Sequence, residues 1–328
     1  MPFHMHFGAA DLLRCRFAIS PLWEAQEAVR TLARPERQGY HLPWLRRIRE
    51  AAAGLDLEPL WLLMPRRGHN PDFLCPAPVD PVTSMENELQ RVRAADPAGA
   101  RDEMARSLAD TPGAADTRQG RAMLADPARA VQELADLYQR VWDALIAPDW
   151  PRLRSLLEAD IAFHSRRLAD DGLAGLFTDL HPRVGWADGI LTVASRDSSF
   201  THVRVLDGDG LVLMPGVFVW PEVVSGFDPP WQATLVYPAR GIGGLWAGPH
   251  AGTSDALLRL LGANRAAVLA GLDAPATTTA LAHRHGLALS SVSAHLSVLR
   301  EAGLLVSWRY GHQVLYERTP LGTALAGA

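Results

Sequence analysis

Residues 277–318 read TTTALAHRHGLALSSVSAHLSVLREAGLLVSWRYGHQVLYER, and this run constrains the fold more than any other part of the chain. Thr277, Thr278 or Thr279 can cap a short helix that stops at Gly286. A second helical pattern follows, with Val292, Leu296 and Leu299 at helical spacing and a stop at Gly303. Ser290 or Ser291 stands where its N-cap is expected. Two alternating runs then flank Gly311, which predicts a β-ribbon. The second helix has an unusual polar face: Ser291, Ser293 and Ser297 in place of the Glu and Arg that a merely solvated face carries. Short hydroxyls let a helix backbone come close to whatever it faces.

Helix, tight turn, helix and ribbon, in that order, is the winged helix-turn-helix arrangement. Two more helical patterns, SDALLRLLG and ANRAAVLAGL, precede it from Ser254 onward. The stripe of Val292, Leu296 and Leu299 would pack on those helices, leaving the serine face for the major groove of duplex DNA. Net charge over the 328 residues is −4, so the chain as a whole is no general polyanion binder and any DNA surface must be local. Residues 254–328 carry six arginines against four carboxylates, a balance of +2. Phosphate contacts dominate affinity for DNA, so this margin predicts weaker or more salt-sensitive binding than a strongly basic domain shows.

The run S-S-V-S-A-H-L-S-V-L-R-E-A-G-L-L over 290–305 resembles the recognition helix of the ArsR/SmtB family of bacterial repressors. The wing Arg309-Tyr310-Gly311-His312-Gln313-Val314-Leu315-Tyr316 resembles that family's basic ribbon. The likeness covers about the last 75 residues. It implies that Ser291, Ser293, Ala294 and Ser297 face the groove, that His295 and Arg300 lie near phosphates or base edges, and that Arg309 and His312 reach from the wing. Ser290, Tyr310 and Gln313 complete the expected DNA-binding set. His295 as a packing residue and Arg300 as the partner of a local carboxylate remain alternatives. The family's metal-sensing members place a C-x-C pair on the helix before the recognition helix. Here that helix reads TTTALAHRHG, without cysteine, and His283 and His285 point to different sides of it. The chain ends in TPLGTALAGA, without the acidic and histidine ligands of the family's other metal site. Neither a metal nor a cofactor is expected.

The first 250 residues read as a separate, mainly helical body. Ser20-Pro21 opens one helix, residues 43–54 another, Ser84 a third, and 127–147 and 151–169 two more. The texture turns β-rich over 186–247, where Leu206-Asp207-Gly208-Asp209-Gly210-Leu211 signals a hairpin. The expected class is therefore α+β: a helical N-terminal body to about residue 185 with a small antiparallel sheet, spanning 1–250, then a winged helix-turn-helix at 254–328. RFAISPLWE (16–24), LVLMPGVFVWP (211–221) and YPARGIGGLW (237–246) resemble a domain of unknown function that precedes ArsR-like winged helices in actinobacterial regulators. Nine of the ten tryptophans lie in this body; most are expected in its core, and some could line a pocket for a small organic effector.

Catalysis is not expected. His164, Asp170, Asp171, Asp179 and His181 crowd one region but follow no HExxH, GxSxG or CxxC spacing, and HSRRLADDG reads as the exposed end of a helix. His4 and His6 share one strand face without a third ligand nearby. Cys15 and Cys75 suit reduced thiols. No apolar run approaches a membrane span, and the N-terminus lacks a signal-peptide pattern, so a cytoplasmic protein is expected. The sequence thus predicts a DNA-binding regulator of ArsR type, a homodimeric repressor that binds double-stranded DNA and answers a non-metal signal. The alternative is a protein-interaction module that uses a winged helix without DNA.

Overall fold

The computed structural model describes residues 3–34, 39–66, 68–194, 202–226, 231–246, 255–273, 275–310 and 313–326. The chain forms two compact units. One comprises Met1–Arg34 and Ile48–Arg240, the other Pro35–Arg47 and Gly241–Ala328.

The first unit begins with β1 (Phe3–His6), α1 (Ala9–Leu12), β2 (Arg16–Phe17) and α2 (Pro21–Ala33). Helix α3 (Leu42–Ala53) starts within the residues of the second unit, and α4 (Glu58–Leu62), α5 (Met85–Arg93), α6 (Pro97–Ala109), α7 (Arg118–Ala125) and α8 (Pro127–Val141) follow. Local chemistry sets most of these starts. The Ser20 hydroxyl accepts from Trp23 N–H at 2.9 Å, Ser84 from Asn87 at 3.2 Å, Asp96 from Gly99 at 2.8 Å and Asp126 from Arg129 at 3.1 Å. Each such oxygen satisfies one of the orphan donors of a first turn. Helix α8 is the hub of the helical part and packs on α2, α5, α6 and α7. It passes through a π turn at Trp142–Ile146 into α9 (Trp150–Leu180), a 31-residue helix bent at Gly172, whose φ is +66°.

Among the described residues eight strands, β1 and β2 included, form two mixed sheets in this unit, where one antiparallel sheet is expected from the sequence. Strands β3 (Val184–Ala187), β4 (Ile190–Val193) and β5 (His202–Val205) join β1 in the order β3-β4-β1-β5, with β1 parallel to β5. Strands β6 (Val212–Gly216), β7 (Val224–Gly226) and β8 (Thr234–Pro238) join β2 in the order β2-β6-β8-β7. The turn at Asp207-Gly208 does form, with φ of +53° and +89°. It joins no hairpin, because β5 pairs with β1 in one sheet and β6 with β2 and β8 in the other. Met5, Leu191, Leu206, Leu213, Leu235 and Phe177 of α9 fill one continuous core with both sheets. Of the nine tryptophans before residue 250, only Trp23, Trp44 and Trp246 are buried; Trp61 is exposed and the rest are half-buried, contrary to a mostly core placement.

The second unit carries α10 (Ile242–Leu245), α11 (Asp255–Leu261), α12 (Ala263–Ala270), β9 (Ala276–Thr277), α13 (Thr278–His285), α14 (Leu289–Glu301), β10 (Leu305–Tyr310), β11 (Gln313–Arg318) and α15 (Pro320–Ala326). Val268, Leu269, Leu281, Val292, Leu296 and Leu299 form its core. The ribbon β10–β11 is antiparallel from Leu305↔Arg318 to Tyr310↔Gln313, and β9 adds a third strand. Residues Pro35–Arg47, which the sequence reading leaves in the N-terminal body, group with this unit, where the His41 ring nitrogen Nδ1 accepts from Trp246 Nε1–H at 3.0 Å.

Candidate nucleic-acid interface

Helix α13 is capped by the Thr277 hydroxyl, which accepts from Ala280 N–H at 3.1 Å. It ends at Gly286, whose φ of +63° is the left-handed conformation that glycine adopts without strain. The Leu287 amide then bonds back to Ala282 O at 3.0 Å and closes the turn. The turn is short enough that α14 starts at Leu289 with Ala288 as N-cap, and no side chain caps it. Ser290 and Ser291 are thus not caps, as the sequence suggests, but first-turn residues.

The burial of α14 follows one face. Val292 and Leu296 are 0% exposed and Leu299 1%. Ser290, Ser291, Ser293, Ala294 and Arg300 are exposed, and His295 and Ser297 are half-buried. The helix packs on α12 and α13 with its apolar stripe, as the spacing predicts. Ala294 lies near the middle of the outward face at 100° per residue. Val298, 41% exposed, and Glu301, also exposed, share that face and are absent from the sequence-derived set. Their spacing from Ser290 and Ala294 was the available signal. Ser297 is partly committed, since its hydroxyl meets Glu301 Oε1 at 3.1 Å. Among the described residues Arg300 pairs with no carboxylate; its Nη1 lies 3.5 Å from Ser307 Oγ on β10, so it leans toward the wing.

On the wing, Arg309 is exposed and stands opposite Val314 in the ribbon. Tyr310 and Gln313 pair through their backbones, and His312 lies outside the described residues. Two other arginines of this unit serve the fold. Arg318 pairs with Asp273 and donates from Nε to Leu272 O at 2.9 Å, and Arg284 donates to Gly271 O. Counting Pro35–Arg47, the second unit holds nine arginines against five carboxylates, a balance of +4, which leaves −8 on the rest of the −4 chain. The separation of charge is stronger than residues 254–328 alone suggest. It favours approach of a polyanion to this unit and not to the other.

Among the described residues no helix is long and apolar enough to cross a membrane, and no group of three His, Cys, Asp or Glu residues is placed to hold a metal. The chain matches no curated protein and no solved structure. Residues 87–243 match the model of a family of unknown function, DUF5937. Residues 260–307, from the end of α11 into β10, match the model of a helix-turn-helix domain. The chain thus carries a DUF5937 domain followed by a helix-turn-helix domain of the kind found in DNA-binding regulators.

Proposed function

We propose that the protein is a dimeric transcriptional repressor of ArsR type, acting in the cytoplasm without catalysis, whose N-terminal body senses a small organic, non-metal effector. One observation carries the reading. Helix α14 buries Val292, Leu296 and Leu299 and turns Ser290, Ser291, Ser293 and Ala294 outward, beside a ribbon that exposes Arg309. A helix of 13 residues is ~20 Å long, and short side chains let it enter a major groove about 12 Å wide. Two copies would set two such helices in successive grooves, about 34–36 Å apart. An effector that changes this separation shifts the balance between a binding and a non-binding state. A cleft of about 290 Å³ between Asp56, Gln119, Met123, Leu134 and Leu137 suits only a small ligand, being near the lower limit of such sites.

The test is a fluorescence-anisotropy titration of the full chain with duplex DNA from its own promoter, over a series of salt concentrations. Affinity should fall linearly with the logarithm of salt, and Arg309→Ala should weaken binding and reduce the slope by about 1. A second reading, docking onto a protein, is favoured by the exposed apolar Val298 and Leu289 on the same helix, 41% and 54% accessible. Feeble, salt-insensitive DNA binding that Arg309→Ala leaves unchanged selects it.

A further inference from the structure

Deep in the first unit, three polar side chains meet with too few partners. Asp160 and His164, one turn apart on α9, are 2% and 1% exposed, and Tyr237 at the end of β8 is 0% exposed. Among the described residues Asp160 Oδ2, His164 Nδ1 and the Tyr237 hydroxyl have no hydrogen-bond partner of good geometry, although Tyr237 stands close enough to Asp160 to favour its charged form. Buried polar atoms are almost always paired, and those that are not often mark a functional site. The His164 and Tyr237 rings meet edge to face with centroids 5.4 Å apart, and His164 Nε2 lies 3.7 Å from Asp160 Oδ1. That same Oδ1 accepts the backbone N–H of Arg240 at 2.8 Å. Arg240 is the last residue of the first unit and is followed by Gly241 with φ of +85°. Its guanidinium covers the Phe163 ring at 3.4 Å.

We propose that Asp160, His164 and Tyr237 form an acid-sensitive latch that holds the chain at Arg240, where the first unit ends. The latch is closed while His164 is neutral. Burial keeps it so by pushing the imidazole below its ordinary range, and the Arg240 and Arg167 cations add to the effect against the pull of Asp160 and Asp179. Burial also raises the Asp160 carboxyl, against the Arg240 amide, the charges of His164 and Arg240, and Tyr237. The neighbouring strand β6, Val212–Gly216, brings no ionisable group to the site. A proton on His164 makes two changes together. The new imidazolium N–H competes with the Arg240 amide for Asp160 Oδ1, and its charge repels the Arg240 guanidinium. Acid therefore loosens the Arg240 anchor through the charge of His164, while the raised Asp160 carboxyl, which takes its proton more readily in the closed site, opposes the loosening. The inference concerns the first unit alone and stands apart from the DNA reading.

Native-state deuterium exchange of the full chain tests it, followed on the peptide that carries the Arg240 amide from pH 8 to pH 5 and corrected for the intrinsic pH dependence of exchange. Wild type should lose protection at this peptide as pH falls. His164→Phe keeps a ring against Tyr237 and Phe163 and removes the proton site, so its protection should not fall as pH drops. Arg240→Gln alters an exposed side chain and should shrink the loss, since it removes a cation that penalises a charged His164 in the closed latch. If wild type loses no protection, or if the Arg240→Gln protein loses as much as wild type, the latch is refuted. An equal loss in a folded His164→Phe protein refutes it as well.

Discussion

Leu296 and Ser293 sit three residues apart on α14, and exchanging each for alanine tests the register on which the interface rests. Leu296 is 0% exposed and lies in the core with Val268, Leu269, Leu281 and Leu299. Leu296→Ala removes three carbons, worth ~0.8 kcal/mol each in transfer, or about 2.4 kcal/mol in all. The cavity left behind adds to this, and buried Leu→Ala changes cost about 3–5 kcal/mol in total. Typical domains are stable by only ~5–15 kcal/mol, so much of the second unit's margin would go. Ser293 is exposed and packs against no core residue of the second unit. Ser293→Ala should leave stability within about 0.5 kcal/mol, because alanine is the better helix former. Hydrogen exchange of the α14 amides in the full chain reads both changes locally, and DNA anisotropy reads their effect on binding. Leu296→Ala should speed exchange throughout the helix; Ser293→Ala should weaken DNA binding while the helix stays protected. If Ser293→Ala opens the helix as much as Leu296→Ala, the assigned faces of α14 are wrong and the interface argument fails with them.

Other consequences are equally direct. A Cβ on Gly322 of α15 would stand 2.1 Å from Leu304 O, so Gly322→Ala should destabilise the second unit by at least about 1–3 kcal/mol, read as a lower Tm. Ser20→Ala removes the cap of α2 and should cost about 1 kcal/mol in denaturant unfolding. Glu24 is buried and accepts from Val217 and Phe218 N–H at 2.8 and 3.3 Å, yet burial raises its carboxyl to about 8. Burial raises Glu88, which accepts from Leu22 N–H, to about 7. Both lie above the ordinary 4.5. Their stabilising contribution is therefore full below pH 4.5 and lost as pH rises through about 7 and 8. Melts of the wild type should show the first unit weakening over that window, and Glu24→Gln should flatten its share of the slope.

Much of the second unit was legible because its signals are local. Thr277 as a cap, Gly286 as a left-handed stop and the spacing of Val292, Leu296 and Leu299 each act within one or two turns of chain. The same holds for Ser20 and Ser84 in the first unit. The exact start of α14 was less legible, since several serines near it can each cap a helix. His164 was read as part of an exposed helix end, but Gly172 makes the bend farther along and leaves His164 facing β8.

Local spacing sets the starts of capped helices such as α2, α5 and α13, the stripe of α14 that turns inward, and the turn at Asp207-Gly208. Where that turn leads follows from pairing across the assembled sheets. Strand β1, nearly 200 residues earlier, takes β5 into one sheet, while β2 and β8 take β6 into the other. Tertiary packing likewise groups Pro35–Arg47 with the helix-turn-helix unit and brings Asp160, His164 and Tyr237 into one buried site. Caps and turns are set by bonds a few residues long, which sequence spacing records. Strand partners and buried polar clusters depend on competition among distant segments for the same core, which spacing does not record.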